Sequence, residues 1–123
     1  MKLEDLEIYR LAMKLGEKIW QIVAAWDYFQ KDTVGKQWVK ASDSVGANIS
    51  EGFGRYYYKE TRQFTYYARR SLYETKTWLM KSRARKLINE EKFQEINNDI
   101  DNLGVKMNNY ISSLNKLSKT KST

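Results

Sequence analysis

The sequence predicts an all-α protein, an antiparallel up-down-up-down four-helix bundle, and three observations carry that prediction. Apolar residues recur at spacings of three and four in successive segments, the pattern of amphipathic helices. No segment carries a strand signal. Three short connections separate the segments, which places consecutive helices antiparallel. With 123 residues, no proline and six scattered glycines, residues 1–117 read as one bundle domain. Ser118–Thr123 form a polar tail.

The first helix is predicted from about Leu3 to about Trp26. Ile8, Leu11, Ala12, Leu15, Ile19, Ile22, Val23 and Trp26 define one face. A second stripe, Tyr9, Met13, Gly16 and Trp20, lies roughly 110° away at 100° per residue. One stripe serves the intramolecular core. The second is either the wide apolar surface of a helix central to a small bundle or a subunit interface, and Tyr9, Met13 and Trp20 are its candidate contacts. Asp27 to Asp32 is a polar connection, and Asp32-Thr33 offers N-cap chemistry for a second helix from about Thr33 to Gly52. Its stripe is Val34, Trp38, Ala41, Val45, Asn48, Ile49 and Gly52.

The third helix, from about Tyr57 to about Arg85, spans roughly 43 Å at 1.5 Å per residue. Its apolar face is Phe64, Ala68, Ser71, Leu72, Thr75, Trp78 and Leu79. The opposite face carries Arg62, Tyr66, Arg69, Tyr73, Lys76 and Arg83, the four cations seven residues apart. The fourth helix opens on the cap Asn89 before Glu90 and Glu91. Phe93, Ile96, Ile100, Leu103, Met107, Tyr110, Leu114 and Leu117 then form a coiled-coil-like seam.

Between the second and third helices lies Ser42–Arg55, a run of small residues with an asparagine on the apolar stripe. Gly46 inside this helix costs about 0.5–1 kcal/mol relative to alanine, which something else must offset. Gly52 and Gly54 are predicted to stop the helix. Asn48 and Glu51 are expected to hydrogen-bond within or between helices, a structural role.

Composition excludes several function classes. There is no histidine and no cysteine, which removes the commonest acid/base group and metal ligand, along with disulfides. Glu51, Tyr73 and Glu74 are the proton-transfer candidates nearest the pivot, and a lone carboxylate facing small residues reads as a hydrogen-bond partner. No catalytic residue is assigned, and no enzymatic activity is expected. Glu90, Glu91 and Glu95 lack a second ligand cluster and read as helix-start acids, so no metal site or cofactor is expected. Gly52-Phe53-Gly54 lacks the strand and lysine of a phosphate loop. No stretch approaches the ~20 apolar residues of a membrane span, and the N-terminus lacks a signal-peptide core, so the expected setting is cytoplasmic, away from membranes.

Charge is distributed unevenly. Residues 1–30 carry net −1, 31–55 net +1, 56–88 net +7 and 89–123 zero, so the third helix and the following turn hold the whole excess of +7. A row of Lys and Arg rewards polyanion binding through counterion release, and tyrosines stack on unpaired bases. Arg62, Tyr66, Arg69, Arg70, Tyr73, Lys76 and Arg83 are the candidate nucleic-acid-binding residues. The competing reading is a solvated face that only keeps the protein soluble.

The run Ala47–Arg55, Ala-Asn-Ile-Ser-Glu-Gly-Phe-Gly-Arg, resembles the signature of the four-helix-bundle proteins encoded in intervening sequences of 23S ribosomal RNA genes. These are often labelled ribosomal proteins. Leu3-Glu4-Asp5-Leu6-Glu7-Ile8-Tyr9 with Leu11-Ala12, Lys59-Glu60 with Phe64, and Ala68-Arg69-Arg70-Ser71-Leu72-Tyr73-Glu74 agree in order and spacing, so the resemblance covers nearly the whole chain. It implies a bacterial, basic homopentamer with a suspected nucleic-acid role and no enzymatic activity. A related branch of pentameric bundles binds nucleic acid and a reverse transcriptase. Here Gly46 stands where the family usually has proline. Trp38-Val39-Lys40 replaces a run with paired arginines, and Tyr56-Tyr57-Tyr58 replaces a more polar turn. The lost arginine shifts weight from the second helix to the third.

Two functions follow as expectations. The first is a homo-oligomer binding nucleic acid, RNA favoured, through the basic third helix. The alternative is a structural or adaptor oligomer whose partner is a protein such as a nucleic-acid enzyme.

Overall fold

The computed structural model describes residues 1–120. A 3-10 turn at Leu3–Asp5 leads into α1 (Glu7–Ala24). A short α2 (Tyr28–Gln30), a π turn (Lys31–Gly35) and α3 (Lys36–Phe53) then run on as one helical rod. The long helices α4 (Tyr58–Ala84) and α5 (Glu90–Thr120) complete an all-α, four-rod bundle. Contacts run α1–α3, α3–α4, α4–α5 and α5–α1, so α1 and α4 occupy diagonal corners. Ile19, Trp38, Val45, Ala68, Leu79, Ile96 and Met107 are among the side chains sealed at the centre.

The start of the second rod differs from the prediction. Asp27, and not Asp32, caps it, accepting a hydrogen bond from the Gln30 backbone N–H at 3.0 Å. Asp32 instead lies within the helical rod and pairs with Lys36 four residues on. The expected connection at 27–32 is therefore mostly helix. Thr33 donates its hydroxyl to the Phe29 carbonyl at 2.7 Å, a bond that competes with the helical ladder beside the π turn. Gly35 ends that turn against α1, where a Cβ would lie 2.6 Å from Val23 Cγ1. Below it the Trp26 and Trp38 rings stack at 5.9 Å.

Small residues set the α1–α3 and α3–α4 distances. A Cβ on Gly46 would meet Met13 Sδ at 3.0 Å, and one on Gly52 would meet Phe64 Cβ at 2.8 Å. The close approach of α1 is what offsets the helix-interior cost of Gly46. Gly54 does not act as a left-handed stop: it has φ −80° and ψ 0°, and no described glycine has positive φ. The left-handed cap is Lys86, φ 59°, after α4. There Leu87 N–H donates to Ser82 C=O and Lys86 N–H to Arg83 C=O, the two bonds of a Schellman motif.

The core face of α4 is more polar than its sequence pattern suggested. Thr61, Thr65, Thr75 and Ser82 are buried, whereas Phe64, Ser71 and Trp78 are only half-buried. Each buried hydroxyl is satisfied by backbone: Thr61 donates to Gly52 C=O, Thr65 to Thr61, Thr75 to Ser71 and Ser82 to Trp78. These bonds remove the desolvation penalty that normally keeps such residues at the surface.

Asn89 caps α5 as predicted, accepting from Lys92 N–H at 2.7 Å. The seam of α5 drifts at its end. Ile111 is buried where Tyr110 was expected, Tyr110 is half-buried, and Leu117 is 40% exposed. A straight helix turns 3.6 residues per turn, so a strict seven-residue seam slides off its face. Helix α5 reaches Thr120, so the first residues of the predicted tail are helical, and residues 121–123 lie outside the described residues.

Candidate nucleic-acid interface

The predicted cation row does not point away from the bundle. A helix at a corner contacts two neighbours, and residues flanking its buried stripe meet one of them. Arg62, Arg69, Lys76 and Arg83 lie on the flank that meets α5, and each bonds to it. Arg62 donates to Asn115 Oδ1 at 2.6 Å and Arg69 to Asn108 Oδ1 at 3.1 Å. Lys76 pairs with Asp101 at 2.8 Å, and Arg83 grips both oxygens of Glu90 at 2.7 and 3.1 Å. From Arg62 to Lys76 the partners step back along α5 by seven as the cations step forward along α4, as two antiparallel helices require, and the last rung reaches further, from Arg83 to Glu90 at the start of α5.

This ladder is electrostatically polarised. At the end near Asn89 its rungs are ionic, and the charges of Lys76 and Arg83 are balanced. At the end near Gly54 its rungs end on neutral amides, which hold the guanidinium groups in place and leave their charge uncompensated. Residues 102–118 of α5 contain no acid at all. Asn108 and Asn115 were not among the predicted site residues, although their spacing of seven, matched to the arginines, was readable in the sequence.

The other candidates lie around this half of α4. Tyr66 is half-buried with the Arg69 guanidinium 5.0 Å from its ring centroid, and Tyr73 is 65% exposed. Arg70 is exposed, sits 4.9 Å over the Tyr67 ring, and lines a polar groove with Asn48, Ser71 and Glu74. Lys59 is exposed at the start of the helix, and Tyr56, 88% exposed, and Tyr57 project from the turn before it.

Asn48 is half-buried and donates to the Ser44 carbonyl of its own helix at 2.9 Å. Glu51 is exposed and pairs with Arg55 at 2.8 Å, while Arg55 covers the Phe64 ring at 4.7 Å. Both bond within their own stretch of chain and not to α4. On the far side of the molecule, Met13 and Trp20 are exposed and Tyr9 is half-buried, whereas Gly16 is buried beneath Asp43. The described residues hold no cluster of three or more potential metal ligands, and no helix among them is long and apolar enough to cross a membrane.

The family model described as 23S rRNA-intervening sequence protein matches residues 4–109. No curated protein matches. Among solved structures, a protein of unknown function from the S23 ribosomal protein family of Bacteroides thetaiotaomicron superposes with a TM-score of 0.76. It is 20% identical, over 85% of this chain and 97% of its own, a likeness in fold.

Proposed function

We propose that this chain, which belongs to the 23S rRNA-intervening sequence protein family, is a non-enzymatic helical homo-oligomer that binds nucleic acid, RNA in preference, along the Gly54-proximal half of the α4–α5 seam. The oligomer is taken as the pentamer that the resemblance implies, working in the bacterial cytoplasm. The observation that carries the reading is the polarised ladder. Arg62 and Arg69 are oriented by Asn115 and Asn108, yet their charge is unspent, which is how a phosphate site is best built: fixed donors with no resident anion. One heptad separates them, about 10.5 Å along the helix. Tyr66 and the exposed Tyr73 lie beside them for stacking on unpaired bases, worth about 1–3 kcal/mol per base. No base-reading constellation accompanies the cations, so recognition is by backbone and shape.

The test compares two double variants on a labelled RNA hairpin with a single-stranded loop. Arg62→Gln with Arg69→Gln should weaken binding and flatten its salt dependence, each lost contact lowering the slope by about 0.7 on single strands. Lys76→Gln with Arg83→Gln should cost less binding, because Asp101 and Glu90 already balance those charges. Equal losses from both pairs, or binding indifferent to salt, would refute the reading. A partner retained after nuclease treatment in a pull-down would favour the adaptor function instead.

A further inference from the structure

The face built by α1 and α3 is divided into two grooves of opposite charge. One, of about 360 Å³, is floored by Gly16 and Gly46 and flanked by Tyr9, Met13, Glu17 and Asp43. The other, of about 420 Å³, has Trp20, Val23 and Val39 as its apolar wall and is rimmed by Lys31, Lys36 and Lys40. Both are open to solvent, and Trp20, 56% exposed, stands on α1 between them.

We propose that this face docks against a second copy of the chain, the carboxylates Glu17 and Asp43 of one copy set against the lysine rim, Lys36 and Lys40 above all, of the next. The proposal rests on the homo-oligomer reading and names the contacts that hold it.

Charge complementarity commits the occupant. Glu17 and Asp43 make no ion pair with any described residue, in a protein whose net charge is +7. Lys14 and Lys40 lie three residues from them in sequence, yet neither pairs with them. Among the described residues Lys31 and Lys40 likewise have no ion-pair partner, and Lys36 makes only the exposed i,i+4 contact to Asp32 at 3.3 Å, an interaction of a kind that a neighbour's carboxylate replaces at little cost. The oxygen of Asp43 nearest α1 is tucked where a Cβ on Gly16 would stand 2.9 Å away. Burial, and then the negative charge of Glu17, push the Asp43 carboxyl above its ordinary value, the condition an incoming ammonium relieves.

Geometry supports the same occupant. Lys36 and Asp43 are seven residues apart on α3, about 10.5 Å, a span that one neighbouring helical face covers. The small residues leave a trough into which a long lysine side chain reaches. The exposed ring of Trp20, the half-buried ring of Tyr9 and the thioether of Met13 would exclude water around each pair, strengthening it.

A charge swap tests the proposal by analytical ultracentrifugation, with far-UV circular dichroism confirming that every variant is helical. Glu17→Lys with Asp43→Lys should break the oligomer to a smaller species, as should Lys36→Glu with Lys40→Glu. Mixing the two variants should restore assemblies containing both. The milder Glu17→Gln with Asp43→Asn should weaken association by about tenfold, a loss reproduced by salt in the wild type. Unchanged mass in either charge-reversed variant, or a mixture that stays apart, overturns the pairing. Trp20→Glu separates the two levels: if it dissociates the oligomer while the charge variants do not, the face stands and the pairing falls. A wild type that sediments as one chain removes the homo-oligomer reading itself.

Discussion

Gly52 and Gly54, two residues apart in one Gly-Phe-Gly run, should answer the same substitution with opposite signs. A methyl added at Gly52 would stand 2.8 Å from Phe64 Cβ and 3.1 Å from the Thr61 carbonyl. Carbon pairs settle at about 3.5–4.0 Å, so α3 and α4 would have to part locally by nearly 1 Å. Neither obstacle is the flexible tip of a side chain. Overpacking of this kind costs about 1–3 kcal/mol. Parting the helices also strains the bond from the Thr61 hydroxyl to the Gly52 carbonyl, 2.9 Å, worth about 0.5–1.5 kcal/mol. Alanine returns about 1 kcal/mol of helix propensity. The net loss is about 0.5–3.5 kcal/mol. At Gly54 the nearest atom is the Glu51 carbonyl oxygen at 4.0 Å and the backbone is already right-handed. Gly54→Ala should therefore stabilise by about 0.4–1 kcal/mol, through the unfolded chain. Urea denaturation of both variants against wild type is the assay, with thermal melting as a check at roughly 3–5 °C per kcal/mol. Gly52→Ala as stable as wild type, or Gly54→Ala destabilised to a similar degree, would refute the argument that close approach of α4 selects the first glycine and nothing in the fold selects the second.

Two further predictions follow from the caps and ties. Lys86→Gly should raise stability by about 0.5–1 kcal/mol in urea, because φ 59° burdens any side chain that glycine lacks; an unchanged midpoint would count against strain at that cap. Hydrogen bonds from Lys18 and then Lys92 hold the Glu95 carboxyl below its ordinary value, so its stabilisation exists above the unfolded carboxylate range and is lost as pH falls through the folded value. Glu95→Gln should accordingly be less stable than wild type at neutral pH and converge with it in acid, and a gap that stays constant with pH would contradict the α1–α5 tie.

Helix number, order and direction were legible in the chain because they depend on local terms: apolar spacing, the Asn89 cap and short connections. The tight α1–α3 and α3–α4 packing was also foreshadowed by Gly46, Gly52 and the small residues near them. What periodicity could not supply was the neighbour each flank would meet. Arg62, Arg69, Lys76 and Arg83 form the same row in sequence whether they face water or α5, and only the packing of α4 against α5 assigned them Asn115, Asn108, Asp101 and Glu90. That pairing divides the row into a neutralised half and a charged half, a distinction invisible to a count of net charge. The buried hydroxyls of Thr61, Thr65, Thr75 and Ser82 teach the same lesson, since polarity predicts exposure until a carbonyl is found for each. At Ala47–Arg55, sequence alone determined that a helix ends beside a close neighbour. Tertiary structure decided which glycine touches it, because proximity between helices is a property of the packed bundle and of no single segment.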